Sequence, residues 1–199
     1  MGHVIGLTGG IACGKSTVTS WLVKRGLVCV DADQIARQVV APDSEGLRAV
    51  LSHFGPRVAL EDGGLDRKAL GAIVFTDVGA RRELEAIVHP LINDEIDAQL
   101  IAAGTRTVVL DAALLIEMKL YERCDHVVVV RCEPHVQIHR LMHRDGLTEA
   151  QARSRIDAQF RDSERLKWAN HVIDNSGDRG SLSIELDRLW KWLEEIGER

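Results

Sequence analysis

Gly9-Gly10-Ile11-Ala12-Cys13-Gly14-Lys15-Ser16 satisfies the spacing G-x-x-x-x-G-K-[ST], with Thr17 following. Glycines in such a run let the backbone turn tightly enough for successive N–H groups to face one anion. A helix opening at its end adds partial positive charge to the same point. Lys15 can reach the outer phosphates of a nucleoside triphosphate, and the Ser16 hydroxyl can hold Mg²⁺. A nucleoside triphosphate with Mg²⁺ is therefore the expected ligand of Gly10 to Thr17. Phosphoryl chemistry also asks for carboxylates. Asp31 and Asp33 follow an apolar run two residues apart, so one can serve an attacking hydroxyl while the other caps the helix behind it. Val108-Val109-Leu110-Asp111 has the form of a strand ending in an acid that faces a metal. A glycine-rich turn with an incidental lysine is the plainer alternative, and the strand and helix expected on either side argue against it.

Positive charge is concentrated in one place. The chain carries a net charge of −5, yet residues 131–167 hold eight Lys or Arg against six Asp or Glu. This balance suits a small polyanion and argues against a nucleic-acid partner. Arginine geometry matches phosphate oxygens, and among Arg131, Arg140, Arg144, Arg153, Arg155, Arg161 and Arg165 we single out Arg140 as the one acting on the transferred group. The same stretch sets His135, His139 and His143 on one helical face, where zinc could bind. Neither H-E-x-x-H nor a cysteine pair accompanies them, so a solvated face is the reading. The four cysteines (Cys13, Cys29, Cys124, Cys132) form no C-x-x-C motif and read as reduced thiols of a cytoplasmic protein. Cys13, beside a helix start, is either a small loop filler or a thiol of lowered pKa. No apolar run is long enough to span a bilayer, so no membrane partner is expected.

These residues need elements to position them. Five apolar runs, Val4–Leu7, Leu27–Val30, Thr107–Leu110, His126–Val130 and His171–Ile173, alternate with helical segments. Continuous apolar strands between helices predict an α/β three-layer sandwich around a five-stranded parallel sheet, with its ligand at the carboxyl ends of the strands. The long interval after the second run reads as helices over 31–40, 44–54, 66–75 and 78–100, with Asp43 and Asp66 as N-caps. Helices over 133–144 and 148–160, capped by Thr148 and turning at Asp145-Gly146, form an arginine-bearing hairpin of the kind that closes over a phosphate loop. A last helix, 182–196, would pack Leu186, Leu189, Trp190 and Leu193 on the sheet. The expected organisation is one domain: a core (1–30, 104–132, 168–199), a helical acceptor-binding insertion (31–103) and a lid (133–167).

With these pieces assembled, the chain resembles the dephospho-CoA kinase family over nearly its whole length. The residues that carry the resemblance are Gly6-Leu7-Thr8-Gly9-Gly10-Ile11 leading into Gly14-Lys15-Ser16-Thr17, Asp31-Ala32-Asp33, Leu65-Asp66-Arg67 with Val74-Phe75, and His89-Pro90. They continue with Asp111, Leu114-Leu115-Ile116-Glu117, Arg140, Arg144-Asp145-Gly146-Leu147, Gln159, Glu164-Arg165-Leu166 and Val172-Ile173-Asp174-Asn175. The resemblance implies a P-loop NTPase fold and transfer of the ATP γ-phosphoryl group to the ribose 3′-hydroxyl of dephospho-CoA. It implies Asp33 as the base or orienter of that hydroxyl, with Lys15 and Arg140 neutralising the group in flight. Adenine contacts fall to Asn175 and Arg140. The acceptor falls to Thr8, Asp31, Asp33, His89 and Leu114-Leu115-Ile116. Ala113 stands where the family has proline and Asn170 where it has aspartate; neither change removes a catalytic group. A small-molecule or nucleoside kinase of the same fold is the alternative, differing only in the insertion. A non-catalytic nucleotide switch is the other: the chain has no N-K-x-D for guanine, and the D-x-x-G at Asp43 to Gly46 lacks a preceding strand.

Overall fold

The computed structural model describes residues 2–197. In chain order it runs β1 (Val4–Gly9), α1 (Lys15–Lys24), β2 (Val28–Asp31), α2 (Ala32–Gln38), α3 (Glu45–Phe54), α4 (Arg67–Thr76) and α5 (Val78–Ala103). Then follow β3 (Val108–Asp111), β4 (His126–Arg131), α6 (Pro134–Asp145), α7 (Glu149–Asp157), α8 (Asp162–Arg165), β5 (His171–Asp174) and α9 (Arg179–Gly197). Two compact units result: one from the residues up to Val30 and from Ala103 onward, the other from Asp31 to Ala102.

The sheet order is β2-β3-β1-β4-β5. β1 lies at its centre, parallel to β3 and β4, and β4 is parallel to β5. This is the five-stranded α/β arrangement that the apolar runs predict. Each strand, however, extends past its last apolar residue: β1 to Gly9, β2 to Asp31, β3 to Asp111, β4 to Arg131 and β5 to Asp174. An apolar criterion stops at the last apolar side chain, whereas backbone pairing continues, as the register pairs Leu7↔Asp111 and Arg131↔Asp174 show. The added residues, Gly9 apart, are polar ones at the carboxyl ends.

The core of the first unit is built from Ile5, Leu7, Val109, Val128, Val130 and Ile173 on the sheet. Val18 and Leu22 of α1 and Leu182, Leu186, Leu189 and Ile196 of α9 cover them. Each such side chain contributes roughly 1.5–3 kcal/mol on burial. The expected stripe on the last helix needs one correction. Trp192, not Trp190, packs against this core, because the helix begins at Arg179 and its 3.6-residue period aligns 182, 186, 189, 193 and 196. Trp190 instead meets Trp21 edge-on at 6.0 Å, and the Arg25 guanidinium lies 3.4 Å from the Trp21 ring centre.

In the lid region, Gly146 at φ 66 ends α6, and Thr148 opens α7 in a reciprocal capping box with Gln151. Ile138, Leu141 and Ala152 of this hairpin pack with Ile11 and Ala12 of the phosphate loop. The short α8 was not expected from the sequence, being a single turn.

The second unit has its own core of Val40, Val50, Phe54, Val58, Leu70 and Ala80. Asp66 caps α4 as expected, accepting from the N–H groups of Lys68 and Ala69. Asp43 does not cap α3. Ser44 does, its Oγ accepting from Leu47 N–H, while Asp43 sits one residue earlier in a left-handed turn at φ 65. Neither Asp43 nor its neighbours form the strand-end acid of a nucleotide switch.

Candidate active site

The phosphate loop spans the end of β1 and the start of α1. Gly14 is the N-cap of α1 at φ 94 and offers no capping side chain, so no side chain competes with a bound anion for the helix start. A Cβ on Gly14 would stand 2.2 Å from Asn175 Nδ2, so close approach as well as the positive φ requires glycine here. Within the loop, Cys13 N–H donates to the Gly10 carbonyl at 3.1 Å. Two glutamines hold its crest. Gln159 Oε1 accepts from Ile11 N–H at 2.8 Å, and Gln137 Nε2 donates to the Ile11 carbonyl at 2.9 Å. The resemblance includes Gln159; Gln137 was missed, since a residue whose partner is a distant backbone carbonyl leaves no spacing to read.

Lys15 forms an ion pair with Asp111 Oδ1, and Thr19 Oγ1 donates to Asp111 Oδ2 at 2.6 Å. The acid at the end of β3 thus anchors the lysine, and Thr19, one helical turn beyond Lys15, anchors the acid. Ser16 and Thr17 are exposed at the first turn of α1. The hydroxyl and carboxylate oxygens of Ser16 and Asp111 are the donor types that a hard divalent cation takes.

Arg140 extends from α6 to the back of the loop. Its Nη1 donates to the Ala12 and Cys13 carbonyls at 3.3 and 3.4 Å, and its Nη2 to the Asn175 carbonyl at 2.9 Å. Asn175, just past β5, returns an Nδ2 bond to the Cys13 carbonyl at 2.8 Å. Arg140, Asn175, Gly14 and Thr17 line one side of a cavity of about 390 Å³ that Gly177 and Arg179 complete. The structure therefore brings Arg140 and Asn175 together at the loop.

The loop after β3 carries the other candidates of the first unit. Thr8 is buried and its Oγ1 donates to the Ala113 carbonyl at 3.2 Å, so it holds this loop. Leu115 and Ile116 are buried, and Leu114 is exposed. The Asn170 departure has a local use: its Oδ1 accepts from Val127 N–H at 2.8 Å near the start of β4.

Asp31, Asp33 and His89 lie in the second unit. Asp31 is the N-cap of α2, its carboxylate accepting from Gln34 N–H at 2.9 Å, and Asp33 sits in the first turn of that helix. His89 is half-buried on α5, one residue before Pro90.

Cys13 and the three histidines of α6 are the remaining candidates. The Cys13 thiol does not face the helix start. It is buried in the core, 3.6 Å from Cys132 Sγ, and the thiol–thiol hydrogen bond together with burial pushes its pKa up. Burial likewise takes the Cys124 thiol up to about 12. His135, His139 and His143 are exposed, and no group of three or more His, Cys, Asp or Glu suited to a metal occurs among the described residues.

Known proteins of similar sequence fit this geometry. The family model for dephospho-CoA kinase matches residues 3–180. A dephospho-CoA kinase of Geobacter sulfurreducens is 44% identical over 191 residues, covering 94% of this chain and 97% of its own. One from Geobacillus kaustophilus is 46% identical over 190 residues, covering 94% of each. The solved dephospho-CoA kinase of Campylobacter jejuni, 28% identical, matches 99% of this chain and 100% of its own with a TM-score of 0.73. By its phosphate loop, its sheet and this full-length likeness, the chain belongs to the dephospho-CoA kinase family.

Proposed function

We propose that the protein transfers the γ-phosphoryl group of ATP to the ribose 3′-hydroxyl of dephospho-CoA, giving CoA and ADP. The observation that carries the reading is a phosphate loop with its lysine held by a strand-end acid, inside a chain whose family membership covers every element that frames it. Phosphoryl transfer leaves the protein little covalent chemistry; positioning and charge neutralisation do most of the work.

Each residue then has a task. The N–H groups at the start of α1 cradle the phosphates, and the Lys15 ammonium neutralises charge that develops on the transferred group. Asp111 keeps that ammonium in place until the nucleotide arrives. Ser16 and Asp111 would hold Mg²⁺, which, when bound, screens the phosphate oxygens. The resemblance assigns the acceptor hydroxyl to Asp33, as base or orienter, while the Asp31 carboxylate caps α2. Arg140 and Asn175 are assigned to the adenine end of the nucleotide, and Arg140, with Lys15, to neutralising the transferred group. Thr8, His89 and the Leu114-Leu115-Ile116 loop are assigned to the acceptor, Leu114 by contact and Thr8 by holding the loop. The insertion (31–103) and the lid (133–167) serve acceptor binding and closure. We place the protein in the cytoplasm, as its four free cysteines suggest. No helix among the described residues is long and apolar enough to cross a membrane.

The test is ADP release from Mg-ATP with dephospho-CoA, beside nucleosides, nucleoside monophosphates and sugar acids as acceptors. Turnover stimulated by dephospho-CoA with a 3′-phosphorylated product is the expected result. Preference for a nucleoside monophosphate would overturn the assignment and leave the ATP site standing.

A further inference from the structure

None of the tasks above uses the largest fully buried side chain of the protein, Arg165, at 1% exposure. Its Nη1 donates to the Phe160 carbonyl at 2.6 Å and lies 3.5 Å from Asp162 Oδ1. Its Nη2 donates to Glu117 Oε1 at 3.3 Å. Nη1 also stands 3.5 Å from where a Cβ on Gly10 would be. One guanidinium thus meets three segments: the end of the lid, the loop after β3, and the crest of the phosphate loop.

Burying an ion pair costs more solvation than a surface pair does, and a hydrophobic replacement is often at least as stable. Stability is therefore a weak reason for this pair. Its geometry points elsewhere. Arginine and carboxylate favour two parallel hydrogen bonds. Here one is made, at the long end of the range, while Arg165 Nε and Glu117 Oε2 are both buried and without a partner. Arg165 also lines a cavity of about 490 Å³ together with Gly10, Gln137, Gln159 and Arg161.

Glu117 is mechanically joined to the one exposed apolar residue of its loop. Met118 N–H bonds the Leu114 carbonyl at 2.9 Å, and Leu120 N–H the Leu115 carbonyl at 2.8 Å, so residues 114–120 form one compact turn. Where Glu117 is held, Leu114 is held.

We propose that Arg165 is a positioning residue for the acceptor: through Glu117 it sets the Leu114 turn relative to the phosphate loop and the lid end. The inference rests on the dephospho-CoA kinase reading. The guanidinium touches no reacting atom; it acts through the loop. Loss of its planar fork therefore weakens acceptor binding and leaves nucleotide binding in place.

Three variants test this: Arg165→Lys, which keeps the charge without the fork; Glu117→Gln; and the charge-free double variant Glu117→Gln/Arg165→Met. Initial rates against dephospho-CoA, ATP binding without acceptor, and melting curves are measured on each full-length protein. Arg165→Lys and the double variant should raise the KM for dephospho-CoA about tenfold, with the Kd for ATP within twofold of wild type. The double variant should melt near wild type because both members of the buried Glu117–Arg165 pair are removed together, and Asp162, the other acid beside Arg165, is partly exposed. An unchanged acceptor KM in a double variant that melts normally overturns the proposal. So does an ATP Kd that rises as far as the acceptor KM, since that describes a general collapse. If the double variant fails to fold, Arg165→Lys decides on the same two constants. Wild-type turnover of dephospho-CoA, measured first, keeps the outcomes apart: its absence sinks the functional reading, whereas a turning-over wild type with indifferent variants sinks only the positioning role.

Discussion

Asp31 and Asp33 are two residues apart and of one type, yet we propose separate tasks for them. Asp31 caps α2, so Asp31→Ala should cost roughly 0.5–2 kcal/mol of stability, read from denaturant unfolding. Asp33→Asn should leave ATP affinity within a few-fold while kcat falls about 10²–10⁴-fold; intact turnover would remove Asp33 from its proposed role. The sequence shows the pair and leaves open which member does which, because capping depends on where the helix starts. The structure starts α2 at Ala32, which makes Asp31 the cap and puts Asp33 in the first turn. Lys15, Ser16 and Asp111 are legible from type and spacing alone. Gln137 and the Glu117–Arg165 pair are not, since their partners are a backbone carbonyl and a side chain far along the chain.

At the scale of elements, the phosphate loop is shaped from outside as much as from within. Two glutamines grip both faces of the Ile11 peptide, one from α6 and one from beyond α7. Gln159→Leu strands the Ile11 N–H. It should cost about 1–3 kcal/mol and weaken ATP binding, measured as a raised Kd, with the acceptor KM extrapolated to saturating ATP little changed. Gly14→Ala meets both a positive φ and the Asn175 amide, so ATP binding should be lost outright in a protein that still folds; retained binding would show that the loop can shift. The strands were legible because their buried residues are continuous. Their last residues were not, because Asp31, Asp111, Arg131 and Asp174 carry no apolar signal. Those omitted ends are the positions where a parallel sheet presents its chemistry. Asp43 was misread as a cap because aspartate favours left-handed turns as well as N-caps, and only the backbone separates the two.

At the scale of the whole molecule, acid stability turns on the end of the sheet away from the phosphate loop. His171 packs on Trp192 at 5.0 Å, with its Nε2 buried and unpartnered. Burial lowers its pKa, against a smaller upward pull from Glu185. His126 is lowered too, by burial and then by His3. The unfolded chain therefore takes up these protons first as pH falls. Stability from the neutral rings is present above the ordinary histidine value and is lost as pH drops through it toward the lower folded values. The Tm should be lower at pH 5.5 than at pH 7.5, and the difference should shrink in His171→Phe; an undiminished drop would place the effect elsewhere. The central position of β1 has a consequence for synthesis. The strand that carries the phosphate loop is made first, and its two neighbours, β3 and β4, only after the whole Asp31–Ala102 unit. That contiguous unit can collapse on its own core while β1 waits with both edges unpaired. On the ribosome the nucleotide site is thus the last part to assemble, and a nascent chain arrested before Arg131 emerges should carry a complete phosphate-loop sequence and bind no ATP.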